Sequence, residues 1–458
     1  MTTSSLDAPD QPASGAPRQP LTISVTGCGY LGAVHAASMA ALGHRVIGID
    51  VDAGKIDSLR RGEPPFFEPG LAELLADNAA TGRLTFTTDA SAATEASVHF
   101  ICVGTPQKRG ENAADLRFVD AAVAGLLPYL KAGDLVVGKS TVPVGTAQRL
   151  AALVAEAEPR ATLVWNPEFL REGKAVQDTL QPDRLVYGMP GDAAAARAAE
   201  GVLNAVYHQA IKAETPVVVT DYATAELVKV AANSFLATKI SFINAMAELC
   251  EAAGADVTQL ADAIGYDKRI GRQFLNAGLG FGGGCLPKDI RAFMARAGEL
   301  GVDQALTFLK EVDAINMRRR VRMVDLAREE LGGSIVGRRI AILGAAFKPD
   351  SDDIRDSPAL NVAAQMSLQG AQVLVTDPRA IGNATEKWPD LKFVETVEEA
   401  AYGAELVLLL TEWAEYLALD PVALKQTVAS ARIIDGRNAL DAKAWRAAGW
   451  TYRALGRR

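Results

Sequence analysis

The chain has 458 residues, of which 49% are hydrophobic and 22% are charged, a composition typical of a globular protein with two or three domains. Its formal net charge is −8 and it contains no basic cluster, which argues against nucleic acid and anionic membranes as partners. No apolar run reaches membrane-spanning length, and residues 1–20 lack the basic start and apolar centre of a signal peptide, so we expect a cytoplasmic location.

The first predicted elements have the order of a dinucleotide-binding unit. After a Pro- and Ser-rich segment at 1–20, which predicts a disordered tail, a buried strand is predicted at 22–26. A glycine-rich turn and a helix follow, and a second strand at 45–49 ends at Asp50. In this order the glycines admit a pyrophosphate and the acid binds ribose hydroxyls, which favours NAD over NADP; the alternative is a tight turn without a ligand. The predicted NAD contacts here are Gly27, Gly29, Tyr30, Leu31, Gly32 and Asp50.

Two stretches of alternating strands and helices flank a long helix. The first stretch runs from 21 to about 214 and predicts a mainly parallel sheet with helices on both faces. The long helix, capped by Thr220 or Asp221 and ending near Gly254, is apolar over much of its circumference, which predicts burial at a domain or subunit interface. The second stretch begins at Arg339. The predicted fold is therefore α/β, with two doubly wound Rossmann-like domains joined by a central long-helix domain.

These patterns predict three folded segments. We expect an NAD-binding domain at 21–214, a central helical domain at 215–332 and a second, smaller doubly wound domain at 333–458. The first turn of that last domain, Gly344-Ala-Ala-Phe-Lys348, is not a G-x-G-x-x-G. It is therefore expected to bind a nucleotide other than NAD.

One cysteine stands in a chemically distinctive place. Cys285 ends a glycine-rich loop, and Pro287 and Asp289 then favour the first turn of a helix. A thiol at a helix N-terminus is expected to have a lowered pKa, and three glycines before it are expected to admit a ligand. The other cysteines lie in predicted buried elements, without C-x-x-C spacing, and the histidines lie outside reactive motifs, so no metal site is predicted. These other cysteines are Cys28, Cys102 and Cys250.

Several motifs together resemble those of the UDP-glucose/GDP-mannose dehydrogenase family over roughly 21–440. They are GCGYLG at 27–32, KSTVPVGT at 139–146, NPEFLREG at 166–173, AELVKVAANSF at 225–235, RIGRQFLNAGLGFGGGCLPKD at 269–289 and GAAFKPDSDDIRDSP at 344–358. The resemblance implies an NAD-dependent four-electron oxidation at C6 of a nucleotide sugar. In this chemistry Cys285 captures the aldehyde as a thiohemiacetal, a second oxidation gives a thioester, and water releases the carboxylate.

The resemblance also implies catalytic roles for individual residues. Lys229 and Asn233, four apart on one helix face, would bind the reacting oxygen, with Lys229 an acid/base if burial lowers its pKa; the alternative is a solvated polar stripe. Asp289 would position a water or Lys229, or merely complement the helix dipole. Glu172 would be the base for thioester hydrolysis, unless it lies on a solvated face. Thr141 would orient a water or the cofactor, or cap a strand.

The remaining predicted site residues surround the two ligands. Lys55 and Thr105 join Thr141 as further NAD contacts, with a surface lysine and a simple turn as alternatives. Arg269 is implied to reach the active site of a neighbouring subunit in a homodimer or higher homo-oligomer, although taken singly it would be a surface charge. The implied substrate contacts are Glu168, Phe169, Leu170, Lys229, Asn233, Arg269, Phe274, Leu275, Gly282, Lys348 and Arg437.

The implied substrate is UDP-glucose, and four alternatives are considered. A family member that oxidises GDP-mannose would share the loop around Cys285. A UDP-N-acetylmannosamine branch typically has His before the cysteine and lacks the lysine, whereas this chain has Gly284 and Lys288. A 6-phosphogluconate or 3-hydroxyacid dehydrogenase would explain neither Cys285 nor the third domain. A catalytically silent nucleotide-sugar sensor is the alternative of a different class.

Overall fold

The computed structural model describes residues 20–457. The tail predicted at 1–20 lies almost entirely outside these residues and stays a prediction. Within the described residues, the first sheet has eight strands in the order β3-β2-β1-β4-β5-β6-β7-β8, all parallel to their neighbours except the antiparallel pair β6 and β7. The strands are β1 (Thr22–Thr26), β2 (Arg45–Ile49), β3 (Leu84–Thr87), β4 (Val98–Ile101), β5 (Leu135–Gly138), β6 (Thr162–Trp165), β7 (Leu185–Met189) and β8 (Val217–Asp221).

Helices on both faces of this sheet bury nearly every residue of its central strands, which is the usual state of a parallel sheet. Their bounds are α1 (Tyr30–Ala41), α2 (Ala53–Arg60), α3 (Leu71–Ala80), α4 (Arg117–Leu126), α5 (Thr146–Ala157), α6 (Ala175–Leu180), α7 (Ala193–Val206) and α8 (His208–Lys212). Strand β1 pairs with both β2 and β4, so the carboxyl ends of these three strands lie together at one edge. That edge is where a doubly wound sheet binds its ligand.

Four helices lie between the two sheets. They are α9 (Tyr222–Ala253), α10 (Val257–Gly265), α11 (Leu286–Glu299) and α12 (Phe308–Glu330), and α9 packs against the other three. The predicted cap is observed, because the Asp221 carboxylate accepts a hydrogen bond from Thr224 N at 2.8 Å. The helix ends at Gly254, whose φ of 75° is the left-handed conformation of a glycine C-terminus.

The last part of the chain forms a parallel sheet of six strands in the order β11-β10-β9-β12-β13-β14. The strands are β9 (Arg339–Leu343), β10 (Gln372–Thr376), β11 (Lys392–Phe393), β12 (Leu406–Leu409), β13 (Arg432–Asp435) and β14 (Thr451–Ala454). The helices are α13 (Pro358–Leu368), α14 (Ile381–Lys387), α15 (Val397–Ala401), α16 (Ala414–Leu417), α17 (Pro421–Leu424) and α18 (Ala442–Ala447). The α/β fold class with two doubly wound sheets and a helical centre is therefore confirmed.

One difference concerns where the first sheet ends. Strand β8 pairs with β7 and so belongs to the first sheet, although the predicted division at 214/215 would separate it. Tyr222 and Ala225, at the start of α9, are buried in the same core. We therefore propose a division inside α9 rather than before β8. Among the helices of residues 20–457, none has both the length and the apolar character needed to cross a membrane.

Candidate active site

The three glycines of the turn after β1 differ in what a side chain at each position would contact. Gly27 has a φ of 90°, and a Cβ there would lie 2.5 Å from Val103. A Cβ on Gly32 would lie 1.7 Å from the Gly27 carbonyl oxygen, so this glycine allows α1 to pack on the strand. A Cβ on Gly29 would meet no protein atom within 4 Å. The turn thus leaves open space at Gly29, where a pyrophosphate can approach the backbone.

Asp50 follows β2 beside this turn. Its carboxylate accepts hydrogen bonds from Cys28 N at 2.7 Å and from Lys55 Nζ at 2.9 Å. Asp50 and Lys55 are therefore adjacent, as expected for a pair that binds a ribose. The acid, the open glycine and the strand edge together fit a dinucleotide.

The predicted cofactor residues Tyr30 and Leu31 have their side chains engaged within the protein. The Tyr30 hydroxyl donates to Glu68 and accepts from Gly173 N at 3.2 Å, and the Leu31 side chain packs against the core of the first sheet. Tyr30 therefore links the glycine turn to the NPEFLREG segment. Glu68 strengthens this link, because its carboxylate also accepts from Gly173 N at 2.6 Å.

Thr105 and Thr141 follow the neighbouring strands β4 and β5. The Thr105 hydroxyl donates to the Thr141 carbonyl oxygen at 2.8 Å, which joins the two strand ends. Thr141 also lines a small cavity together with Lys288 and Asp289 of α11. The carboxyl ends of β4 and β5 thus face the helix that follows Cys285.

Cys285 is the N-cap residue of α11 and, of the four cysteines, the one whose side chain is exposed. The expected lowering of its pKa is wrong. Although the residue is exposed, the protein around the thiol disfavours a thiolate by burial, and Asp289 and Glu172 add negative charge. Together they raise the pKa of Cys285 to about 12, against the smaller lowering effect of Lys229. The unliganded thiol is therefore protonated.

Other parts of the protein pack closely against the glycines before Cys285. A Cβ on Gly282 would lie 2.4 Å from the Asp356 carbonyl oxygen, and one on Gly283 would lie 2.7 Å from the Phe347 ring. A Cβ on Gly284 would lie 2.2 Å from the Arg355 guanidinium. These glycines therefore allow close packing of the segment that follows β9, and their predicted role in admitting a ligand stays a prediction.

Lys229 and Asn233 are both buried, so the alternative of a solvated stripe is wrong, and Lys229 lies close enough to Cys285 for each to affect the pKa of the other. Lys229 Nζ lies 3.0 Å from a Glu168 carboxylate oxygen, while Asn233 Nδ2 donates to Asp289 at 2.6 Å. The direct carboxylate partner of Lys229 is thus Glu168, not Asp289, which instead pairs with Lys288 at 2.5 Å. Burial alone would lower the pKa of Lys229, but Glu168 and the other acidic groups raise it above its ordinary value. Lys229 is therefore a cation at neutral pH.

Glu172 is a buried carboxyl group next to the segment after β9. Arg355 donates to it at 3.2 Å, and Ser351 donates at 3.5 Å. Burial raises the pKa of Glu172 to about 7, with the Asp353 carboxylate adding to the rise and Arg355 and Lys348 opposing it. A carboxyl group that titrates near neutral pH is suited to general acid–base work.

Lys348 and Arg437, the predicted substrate contacts of the last unit, follow β9 and β13. Burial lowers the pKa of Lys348, while the nearby Glu172 opposes that change. The Arg437 guanidinium donates to the carbonyl oxygens of Leu410 at 2.7 Å, Phe347 at 3.1 Å and Gly280 at 3.2 Å. Arg437 thus connects the last sheet to the loop before Cys285.

The other predicted substrate residues differ in their surroundings. Phe169 stacks beneath the Arg184 guanidinium at 3.8 Å, and Leu170 N donates to Glu168 at 2.7 Å. Arg269 is almost fully exposed and pairs with Asp267 of its own turn at 2.6 Å.

Two further predicted substrate residues lie near the turn after α10. Phe274 has a positive φ of 64°. The Leu275 side chain is buried among residues of α9 and α10, so it packs inside the protein.

Comparison with known proteins decides the family. Three domains of the UDP-glucose/GDP-mannose dehydrogenase family match in chain order: the NAD binding domain at 21–211, the central domain at 223–318 and the UDP binding domain at 341–442. A UDP-glucose 6-dehydrogenase of Rhizobium meliloti is 42% identical over 95% of this chain and 100% of its own length. The chain belongs to the UDP-glucose/GDP-mannose dehydrogenase family.

Further members of the family match this chain over nearly its whole length. The UDP-glucose 6-dehydrogenase YwqF of Bacillus subtilis is 40% identical over 96% of this chain and 98% of its own length. The structure of a UDP-glucose dehydrogenase from the archaeon Pyrobaculum islandicum superposes with a TM-score of 0.87 at 38% identity, covering 97% of this chain and 100% of that chain. The resemblance inferred from the motifs is thereby confirmed, as is NAD as the cofactor.

Sequence reasoning missed several residues that build this dehydrogenase site. Arg355 and Asp356 lie in a motif that was recognised, but they had no assigned role. Glu226, one turn before Lys229, accepts from Gly145 N at 2.8 Å and Ala147 N at 2.7 Å, which fixes the segment after Thr141 against α9. An acid three residues before Lys229, on the same predicted helix, was the available signal in the sequence.

Proposed function

We propose that this protein is an NAD-dependent UDP-glucose 6-dehydrogenase that oxidises UDP-glucose to UDP-glucuronate. The observation that carries the proposal is the position of Cys285. Its thiol opens between an NAD-binding sheet and a UDP-binding unit, with Lys229 and Glu172 close enough to change its pKa. Oxidation of an alcohol to an aldehyde needs no thiol, whereas oxidation onward to an acid benefits from a covalent sulfur adduct.

Binding of the two ligands would use the two strand edges. Gly27, Gly29 and Gly32 would admit the NAD pyrophosphate, and Asp50 and Lys55 would bind its ribose. NAD, when bound, supplies a hydride acceptor for each of the two oxidation steps. Lys348 would bind the diphosphate of the substrate, because it follows β9 at the edge where open α/β sheets bind ligands.

Lys229 would stabilise negative charge on the C6 oxygen rather than remove a proton. Its raised pKa leaves it protonated at neutral pH, so its ammonium group is an electrostatic partner for the developing oxyanion. Asn233 lies one turn further along α9 and is oriented by its hydrogen bond to Asp289. The Cys285 sulfur would add to the aldehyde carbon, and the thiol proton would end on the former carbonyl oxygen beside Lys229.

Glu172 would serve the final hydrolysis. Its pKa near 7 means that a substantial fraction is ionised at neutral pH and can accept a proton from water. That water would attack the thioester carbon, the carbon–sulfur bond would break, and Cys285 would regain a proton. Asp289 would keep Asn233 in place, and Thr141 would orient water or the cofactor at the opposite side.

A homodimer is proposed as the working form. Phe235, Phe242 and Leu249 are exposed on α9 and are spaced by seven residues, so they form one apolar stripe along the helix. A stripe of this kind fits the same stripe of a second copy around a twofold axis. Arg269, exposed on the turn after α10, would then be available to a neighbouring active site. The cytoplasmic location stays a prediction.

The test is the yield of NADH per molecule of sugar nucleotide. Limiting UDP-glucose is supplied with excess NAD, and GDP-mannose and UDP-N-acetylmannosamine are supplied in parallel. We expect about two NADH per UDP-glucose, because the covalent route carries the substrate through both oxidations. The other two sugars should give little.

Other yields would contradict specific parts of the proposal. About one NADH per UDP-glucose would mean that the reaction stops at the aldehyde and that Cys285 has another role. Activity with GDP-mannose alone would agree with the mechanism but would make the protein a GDP-mannose dehydrogenase. Binding of every sugar without NADH would favour a sensor.

A further inference from the structure

Asp356 connects three elements around the loop before Cys285. Its carboxylate contacts Arg320 Nη1 of α12 at 2.9 Å and Arg291 Nη1 of α11 at 3.5 Å. Its carbonyl oxygen accepts from Arg320 Nη2 at 3.2 Å and lies against Gly282. One residue of the UDP-binding unit thus contacts both helices and the glycine loop.

Arg320 depends on this contact. Its side chain is 2% exposed, and within residues 20–457 Asp356 is the carboxylate that pairs with it. The same guanidinium also reaches the carbonyl oxygen of Phe281, in the glycine loop, at 3.5 Å. A buried cation with a single acidic partner is costly to leave unpaired, so this pair resists rearrangement.

The backbone of Asp356 is itself constrained. Its φ is 47°, a conformation that residues other than glycine adopt rarely, although Asp and Asn tolerate it best. Such conformations persist where the surroundings over-determine them, and they cluster at functional sites. Arg291 lies six residues after Cys285 and is fixed from its other side by Asp313 at 3.1 Å. Asp356 is therefore linked to the helix that Cys285 caps.

We propose that Asp356 is a positioning residue for the nucleophile: through Arg320 and Arg291 it fixes the glycine loop and the start of α11, and so the place of the Cys285 sulfur. This deepens the proposed function and, for its kinetic consequence, rests on it. Asp356 does not touch the reacting atoms. Its loss should therefore lower kcat while leaving NAD binding unchanged, because the NAD residues lie on the first sheet.

The central variant is Asp356→Asn, which keeps the size of the side chain and its tolerance of positive φ. We expect kcat to fall about tenfold or more, since a misplacement of about 1 Å can cost about 10²-fold. The KM for NAD should stay within about twofold. The rate of maleimide alkylation of Cys285, the exposed cysteine, should change about threefold or more because the thiol moves relative to its neighbours.

The matched control is Asp325→Asn. Asp325 also pairs with an arginine of α12, Arg328 at 2.6 Å, but these two side chains are 43% and 38% exposed, so this pair is far more solvated than the one that holds Arg320. It should leave kcat and alkylation unchanged. If Asp356→Asn does not fold, the double variant Arg320→Met/Asp356→Asn, which leaves no buried charge unpaired, gives the same comparison.

Wild-type kcat together with a wild-type alkylation rate in Asp356→Asn would overturn the proposal. So would additive effects of Arg320→Met and Asp356→Asn on kcat, since residues that act through one contact are non-additive. If the wild-type protein oxidises no nucleotide sugar, the proposed function fails. The alkylation comparison needs no turnover and still decides whether Asp356 positions the thiol.

Discussion

The groups around Glu172 shift its pKa in opposite directions. Burial and Asp353 favour its protonated form, whereas Arg355 and Lys348 favour its ionised form, and the balance raises its pKa to about 7. A base for hydrolysis must be ionised. Its reaction should therefore speed up as pH rises through about 7 and level off above it.

Replacing Glu172 with Gln tests this role. Hydrolysis should slow by about 10²-fold or more, the lower range of general base catalysis, and the rise of the hydrolysis rate near pH 7 should disappear. The thioester would then accumulate on Cys285. Acid-quenched samples analysed by intact-protein mass spectrometry, at several pH values, measure the adduct and its decay.

Cys285→Ser is the control for that measurement. It should bind NAD and UDP-glucose, carry no adduct and fail to complete turnover. A Glu172→Gln enzyme that hydrolyses the thioester at the wild-type rate would remove Glu172 from the mechanism. Near-normal uronate production by Cys285→Ser would remove the covalent route altogether.

For individual residues, the sequence identified the candidates but not their partners in the fold. Lys229, Asn233 and Asp289 were recognised from motifs, yet the pairing of Lys229 with Glu168 joins residues 61 positions apart in different units of the fold. Likewise the helix N-terminus suggested an acidic thiol. The acids that raise the pKa of Cys285 are Asp289 of α11 and Glu168 and Glu172 of the 166–173 segment, and only the tertiary structure brings these two segments together.

Strand and helix positions were predictable where the local signal was strong. Strands β1 and β2 and the capped helix α9 were found because apolar runs, glycines and Asp221 mark their ends. Strands β3 and β14 are four residues long and carry little apolar signal. Strand β8 was missed as a member of the first sheet because it is an edge strand with an exposed face.

The apolar stripe of α9 makes a prediction about assembly. Phe242→Glu places a charge in the middle of the stripe, between Phe235 and Leu249, where burial against a second copy would be costly. We expect the dimer to dissociate to monomers at micromolar concentration, as measured by analytical ultracentrifugation.

Leu368→Glu is the control for the assembly experiment. Leu368 is 88% exposed at the end of α13, a helix of the last α/β unit and not part of the α9 stripe, so its replacement should leave the mass of the oligomer unchanged. A Phe242→Glu protein with the wild-type mass, or a wild-type protein that is monomeric, would show that α9 does not form the subunit contact.

The whole molecule is organised around the loop before Cys285. On one side Asn244 and Asn316, of α9 and α12, hydrogen-bond to the loop backbone at 2.9 and 2.7 Å. On the other side Arg437 and the segment around Phe347 contact it from the last unit. Neither the helices nor the last sheet alone would define the position of the thiol.

Gly283→Ala tests whether the contact between the loop and the last α/β unit is needed for stability and activity. The new Cβ would lie 2.7 Å from the Phe347 ring, so the loop and the last unit must separate, in addition to the cost of about 1–2 kcal/mol for a positive φ. We expect a lower Tm and a kcat reduced by about 10-fold or more. Calorimetry and steady-state kinetics measure the two effects.

Gly133→Ala separates backbone strain from the contact. Its φ of 88° matches the 83° of Gly283, but its Cβ would meet no atom within 4 Å. It should therefore lower Tm through strain alone and leave kcat intact. Equal losses of activity in the two variants would mean that strain, and not the approach of Phe347, explains the Gly283→Ala result.

The raised pKa of Cys285 has a consequence for survival under oxidative stress. Peroxides and disulfides react with thiolates, and a thiol with a pKa of about 12 is almost entirely protonated at neutral pH. The resting protein thus carries an exposed sulfur that is chemically quiet toward such oxidants. Its chemistry would begin only when an electrophilic carbon is brought beside it, which separates catalytic competence from vulnerability to inactivation.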